Sequence, residues 1–97
     1  MMGPEANSRG TKLPEVTLYS TPFCPFCARA KRLLKEKGVP FTDIGVMGRP
    51  KLRRQMEALS GGYTVPQIII DDTPIGGCDE LMALERAGEL NSMLGLS

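Results

Sequence analysis

Between Val16 and Leu94 the chain switches repeatedly between strand-like and helix-like hydrophobic patterns, and each switch marks an element boundary. Val16-Thr17-Leu18-Tyr19-Ser20 reads as a buried strand. Pro25 to Lys37 then follows the helical period, with Leu33, Leu34 and the small Ala30 on its inner face and Gly38 as its stop. Pro40 to Ile44 is a second short strand. Strand, helix and strand of these lengths predict a right-handed crossover, so the first two strands should run parallel. A second helix starts at Arg49 or Pro50 and runs to Leu59, with Leu52, Met56 and Leu59 on one face and Ser60-Gly61-Gly62 as its end. Gln67-Ile68-Ile69-Ile70 is β-branched and reads as a strand, and Asp71-Asp72 turns it into a short antiparallel partner around Thr73 to Ile75. A third helix starts at Cys78 or Asp79, carries Leu81, Met82 and Leu84, and reaches Arg86, with Gly88 beyond it. Leu90 to Leu94 adds a last helical turn. The predicted order is β-α-β-α-β-β-α in an α/β domain, with no internal repeat.

Length restricts this to one core: 97 residues make a single small domain. Residues 1–14 show no apolar periodicity and carry Gly3, Pro4, Asn7, Ser8 and Gly10, so they read as a flexible leader, and residues 15–97 as the folded domain. Glu5 and the lack of an arginine-rich amphipathic helix argue against an organelle-targeting remnant, and Gly3 stands one place too late for myristoylation. A net charge of +1 gives no reason to expect nucleic acid. Apolar runs such as Ile68-Ile69-Ile70 fall far short of the roughly 20 residues that cross a bilayer. Three cysteines, an odd number, would leave one thiol outside any disulfide framework, and the better reading is a reducing, cytoplasmic setting. The absence of histidine excludes imidazole as a base or metal ligand.

The candidate chemistry lies at the first strand-to-helix junction, Cys24-Pro25-Phe26-Cys27. A helix start offers unpaired N–H groups and the positive end of the dipole, which favour a sulfur there as thiolate. Pro25 lacks an N–H, so the amides of Phe26 and Cys27 are the expected donors to the Cys24 sulfur, with Arg29, Lys31 and Arg32 as nearby cations. Cys24 is therefore the expected nucleophile. A spacing of three puts both sulfurs on one side of the first turn, within reach of a disulfide, so Cys27 resolves what Cys24 attacks. Burial should keep Cys27 protonated until that step. A zinc site within one chain would want four ligands, and beyond this pair the chain offers only Cys78, so no metal is expected.

Three segments in order, Thr21-Pro22-Phe23-Cys24-Pro25-Phe26-Cys27-Ala28-Arg29-Ala30-Lys31, Thr64-Val65-Pro66-Gln67-Ile68 and Gly76-Gly77-Cys78-Asp79-Glu80-Leu81, resemble a glutaredoxin of the small dithiol bacterial type. The resemblance spans roughly Val16 to Leu94. It implies a thioredoxin fold, a four-stranded mixed sheet flanked by helices, and a glutathione-dependent thiol–disulfide oxidoreductase. Such an enzyme reduces protein–glutathione mixed disulfides and protein or low-molecular-weight disulfides, with glutathione as co-substrate. It further implies a cis peptide bond at Pro66, with the Val65 backbone turned toward an extended peptide, so that glutathione could add there as a short strand. Asp79 would receive the glutathione α-amino group, and the helix-start amides of Cys78 and Asp79 its γ-glutamyl carboxylate. Arg53 matches a polar contact to the glycine carboxylate, although a solvated helix face explains it nearly as well. Thr21, Phe26, Thr64 and Gly77 complete the implied glutathione site. Cys78 reads first as a small buried side chain, open to oxidation or glutathionylation but not catalytic.

Two positions depart from the pattern. Similar glutaredoxins often carry lysine at the place of Thr21 and tyrosine at the place of Phe26, which shifts the expected work of carboxylate binding to Arg53 and of thiolate stabilisation to backbone donors. The other readings are a [2Fe–2S] carrier built as a glutathione-bridged dimer, against which Pro25 counts, and a redoxin reduced by thioredoxin reductase. Expected partners are glutathione and glutathionylated or disulfide-containing proteins, ribonucleotide reductase among them, and the expected state is a monomer.

Overall fold

The structure, a computed structural model, describes residues 14–96, so the leader expected over residues 1–14 lies, except for Pro14, outside the described residues. Eight elements follow: β1 (Val16–Ser20), α1 (Pro25–Glu36), β2 (Thr42–Gly45), α2 (Pro50–Ser60), β3 (Gln67–Ile70), β4 (Thr73–Gly76), α3 (Cys78–Arg86) and α4 (Leu90–Met93). The sheet runs in the order β2-β1-β3-β4. β1 pairs parallel with β2, with Thr17 opposite Thr42, and antiparallel with β3, with Val16 opposite Ile70. β4 pairs antiparallel with β3 and carries an irregularity between Ile68 and Ile69. This is the four-stranded mixed sheet flanked by helices that the pattern and the resemblance led us to expect.

The second strand begins at Thr42 rather than Pro40. Proline has no N–H to give a ladder, and pairing with Thr17 starts only at Thr42. Asp71 and Asp72 both take positive φ, 48° and 66°, as the central pair of a type I′ turn does, which is why this dipeptide joins β3 to β4 so tightly. Glu15 secures the same corner: its C=O accepts the Asp71 N–H, and its own N–H donates to Asp71 Oδ1, both at 2.9 Å.

Strand alternation divides the core in two. Val16, Leu18, Ile68 and Ile70 point to one face, where they meet Ala30 and Leu34 of α1, Leu81 of α3, and Leu90 and Leu94 at the C-terminal turn. Tyr19 and Ile69 point to the other face, against Met56 of α2 and Val46 just after β2. The Tyr19 hydroxyl accepts a hydrogen bond from Gln55 Nε2 at 3.0 Å, so its buried oxygen is satisfied. Helices on both faces and a sheet between them leave the α1 start, the segment before β3 and the α3 start at one end of the molecule.

Candidate active site

Cys24 ends the loop that leaves β1 and caps α1. Its φ and ψ of −111° and 106° are extended, as an N-cap requires, and its Sγ accepts the Cys27 N–H at 3.2 Å. The donor is the third helical amide alone rather than the expected pair with Phe26, because a cap side chain folds back over the turn onto that position. Phe23, immediately before Cys24, takes φ 63°, and its ring is 98% exposed. The sequence held no signal for that left-handed phenylalanine.

Cys27 is buried while Cys24 is half-buried, and both, like Cys78, are free thiols. Burial, with the neighbouring Cys24 sulfur adding to it, pushes the Cys27 thiol up to about 11; a backbone hydrogen bond with Thr21 and the Lys31 cation pull weakly the other way. Cys27 thus carries its proton at neutral pH, as the asymmetry of the pair requires. Cys78 is also buried and its thiol is raised, first by that burial, with Arg29 opposing and Asp79, Cys24 and Glu80 contributing in the same direction.

Beside the dithiol lies an open groove of about 280 Å³ lined by Phe26, Thr64, Val65, Pro66, Gly77, Cys78, Asp79 and Glu80. Seven of these eight were singled out in the sequence, and they come from three segments far apart in the chain. The Val65–Pro66 bond is cis, as expected. Val65 has no backbone hydrogen-bond partner among the described residues, so both its N–H and C=O remain available. At the opposite wall α3 begins, and the first-turn amides of Cys78 and Asp79 have no acceptor among the described residues either. Asp79 is exposed beside them.

The eighth residue, Glu80, lies in the Gly76-to-Leu81 segment, but the sequence assigned it no role in the site. Its Oε1 accepts the Gly77 N–H at 2.7 Å, one half of a capping box whose other half glycine cannot supply. A glutamate three places into a helix that starts with glycine was the available signal. Thr21 and Arg53 do not line the groove. Thr21 belongs to a neighbouring cavity of about 380 Å³ with Pro22, Phe23, Cys24, Pro25, Cys27, Ala28 and Lys31. Arg53 donates through Nη1 to the Tyr63 carbonyl at 3.0 Å, which places its guanidinium next to the segment that enters Thr64-Val65-Pro66.

The three cations after the dithiol separate. Arg29 stacks over the Phe26 ring at 5.9 Å from its centroid, a cation–π contact that orients an otherwise exposed aromatic. Lys31 donates to Asp43 Oδ2 on β2 at 2.8 Å, and Asp43 Oδ1 accepts the Ser20 hydroxyl at 2.6 Å. Burial acts to raise the Asp43 carboxyl, but the bonds from Lys31 and Ser20 and the charges of Lys31 and Lys35 outweigh it, and the group is held below its ordinary range. Arg32 lies with Ala28, Lys31, Lys35 and Glu36 along a shallow depression on α1 that neither Cys24 nor Cys27 lines. Among the described residues there is no group of three or more potential ligands placed to hold a metal, and no helix long and apolar enough to cross a membrane.

Comparison with known proteins agrees with this geometry. The family model for glutaredoxin matches residues 16–75. A glutaredoxin from Pseudomonas aeruginosa is 51% identical over 82 residues, covering 84% of this chain and 98% of the relative. Glutaredoxin 3 of Escherichia coli is 45% identical over 82 residues, 84% of this chain and 99% of that protein. Among solved structures, the solution structure of glutaredoxin from Brucella melitensis superposes with a TM-score of 0.74 at 48% identity, covering 84% of this chain and 89% of its own. A buckwheat glutaredoxin–glutathione complex superposes at 0.76 and 28% identity, over 84% of this chain and 76% of the other. With a dithiol at a helix start, a mixed four-stranded sheet and these relatives, the chain belongs to the glutaredoxin family of thiol–disulfide oxidoreductases.

Proposed function

We propose that this oxidoreductase takes its electrons from glutathione, bound in the groove between Phe26, Thr64-Val65-Pro66 and Gly77-Cys78-Asp79. The observation that carries the reading is the convergence on that groove of peptide groups unpaired among the described residues: the Val65 backbone on one wall and the Cys78 and Asp79 amides on the other. A short peptide with a carboxylate at each end and one ammonium group fits such a lining. Its extended backbone pairs with Val65 as an added strand, and its γ-glutamyl carboxylate sits on the α3 amides with its α-ammonium on Asp79. Arg53, held at the carbonyl of Tyr63 beside Thr64, takes the glycine carboxylate, while Thr21 contributes beside the thiols. The known buckwheat relative in complex with glutathione supports the choice of ligand.

In the cycle we propose, the Cys24 thiolate attacks the glutathione sulfur of a protein–glutathione mixed disulfide. A Cys24–glutathione disulfide forms, and the protein sulfur leaves as thiolate and takes a proton from water. A second glutathione thiolate attacks the bound glutathione sulfur, releases oxidised glutathione and restores Cys24. With a protein disulfide, Cys24 first bonds to one protein sulfur as the other leaves as thiolate and takes a proton from water. Cys27 loses its proton and attacks Cys24, the protein sulfur bonded there departs as thiolate, and two glutathiones then reduce the Cys24–Cys27 bond. Such a cycle needs a reducing compartment, so we place the protein in the cytoplasm, acting as a monomer whose domain spans residues 15–97. Its substrates would be glutathionylated or disulfide-containing proteins, with ribonucleotide reductase a candidate.

Asp79→Ala tests the ligand assignment. An exposed charge pair contributes up to about 1 kcal/mol, so KM for glutathione should rise by about threefold to fivefold with kcat nearly unchanged. Asp72→Ala, in the β3–β4 turn and equally exposed, should leave KM at the wild-type value. Equal effects of the two substitutions would remove Asp79 from the glutathione site.

A further inference from the structure

The glutathione groove does not use Lys31, although its cation is more constrained than those of its neighbours. Lys31 stands four residues after Cys27, on the same side of α1, and the two line one cavity with Cys24 and Thr21. Its ammonium is held by Asp43 Oδ2 at 2.8 Å, and Asp43 is itself held by the hydroxyl of Ser20, a buried residue at the end of β1. A lysine serving only solubility needs no such chain of support. We infer that Lys31 is the positioning residue for the second thiol: the Ser20–Asp43 pair fixes its ammonium beside Cys27, where it stabilises the thiolate that resolves a mixed disulfide on Cys24.

The step it assists begins when the Cys27 thiol releases its proton to water. The resulting thiolate attacks Cys24 Sγ, the Cys24–Cys27 bond forms, the bond from Cys24 to substrate breaks, and the substrate sulfur departs as thiolate. Burial opposes the first event, and the raised Cys27 thiol reflects it. Three neighbours act on the Cys27 thiol: the Cys24 sulfur at the helix cap, the Thr21 backbone in the preceding loop and, most weakly, the Lys31 cation from α1. Around Asp43 stand Lys31 and Lys35 from α1 and Ser20 from β1. Lys31 is therefore the one charged side chain among them that favours the Cys27 thiolate. Asp43 has two effects, orienting that cation and partly neutralising it.

The inference rests on the dithiol cycle but not on glutathione, so it is tested with an aromatic disulfide, 5,5′-dithiobis(2-nitrobenzoate), as the probe. In single turnover, attack by Cys24 releases one coloured thiolate and resolution by Cys27 releases the second, whose rate against pH reads the ionisation of Cys27. Lys31→Met should move that profile to higher pH by about half a unit, slowing the second release about threefold at pH 7. Lys31→Arg, which keeps the cation, should restore the wild-type profile. Asp43→Asn keeps an oxygen for Lys31 while removing its counter-charge, and should move the profile to lower pH. An unmoved profile in Lys31→Met, or identical shifts in the methionine and arginine variants, would overturn the positioning role and leave the dithiol cycle intact. A wild-type protein that releases only one thiolate would overturn both.

Discussion

Cys24→Ser is expected to bring disulfide reduction and deglutathionylation down to background, whereas Cys27→Ser is expected to retain deglutathionylation and lose the dithiol route to protein disulfides. The two substitutions separate chemistry from folding because the local structure tolerates both. Serine is a good N-cap, so at position 24 it can accept the Cys27 N–H in place of sulfur and hold the first turn of α1. At position 27 the bond to Cys24 comes from the backbone, so it survives any side chain that fits. What changes is the nucleophile: a hydroxyl is almost never ionised at neutral pH and does not exchange with disulfides, which require a thiolate. Cys27 carries its proton at neutral pH, with its thiol pushed up to about 11, so it cannot stand in for Cys24. Turnover of a glutathionylated peptide and of a disulfide-bonded protein, followed side by side, reads the split. Equal loss in both variants on the glutathionylated peptide would mean that both sulfurs take part in every turnover.

Gly76→Ala carries the second large effect, on stability and binding together. Gly76 has φ +113°, and a Cβ there would lie 2.9 Å from both Cγ and Oε1 of Glu80. Outside the left-handed helical well as well as the usual regions, such a conformation costs an L-residue about 1–3 kcal/mol. The glutamate could swing aside, but only by releasing the Gly77 N–H that it holds at 2.7 Å, with a further loss comparable to a helix cap, about 0.5–2 kcal/mol. Since Gly77 opens α3 and Glu80 lines the groove, the α3 start should loosen, and KM for glutathione should rise along with the loss of stability. Gly38→Ala is the control. Gly38 also has positive φ, +71°, but a Cβ there meets nothing within 4 Å, so only the backbone term applies. Denaturation midpoints should fall further for Gly76→Ala than for Gly38→Ala, and glutathione KM should change only in the former.

Much of this architecture was legible in the chain because its signals are local. Gly38 and Gly61 end α1 and α2 where the pattern placed the breaks, and the Ile68 to Ile70 run is the buried strand its β-branching suggested. The groove was legible for a different reason: its three segments carry a family resemblance, which supplied a proximity that no periodicity contains. Physical spacing alone found the dithiol and its asymmetry. The rest depends either on geometry between distant elements or on local backbone conformation that side-chain preference does not reveal. Asp43 looked like one polar residue in a short strand, and only the parallel pairing of β1 with β2 brings it to Ser20 and Lys31. The Glu80 bond to Gly77 is local, and a glutamate three places past a glycine helix start was its signal. Phe23 takes a conformation that its side chain disfavours, so local preference pointed away from the observed turn.

Which reductant restores the enzyme decides the central claim. The purified protein should be given one disulfide substrate and two alternative electron supplies, glutathione with glutathione reductase or thioredoxin reductase alone, each driven by NADPH. Turnover with glutathione that saturates in glutathione concentration, with thioredoxin reductase giving none above background, is the result expected from a groove lined by Val65, Cys78 and Asp79. Comparable or faster turnover with thioredoxin reductase, and no saturation with glutathione, would contradict it.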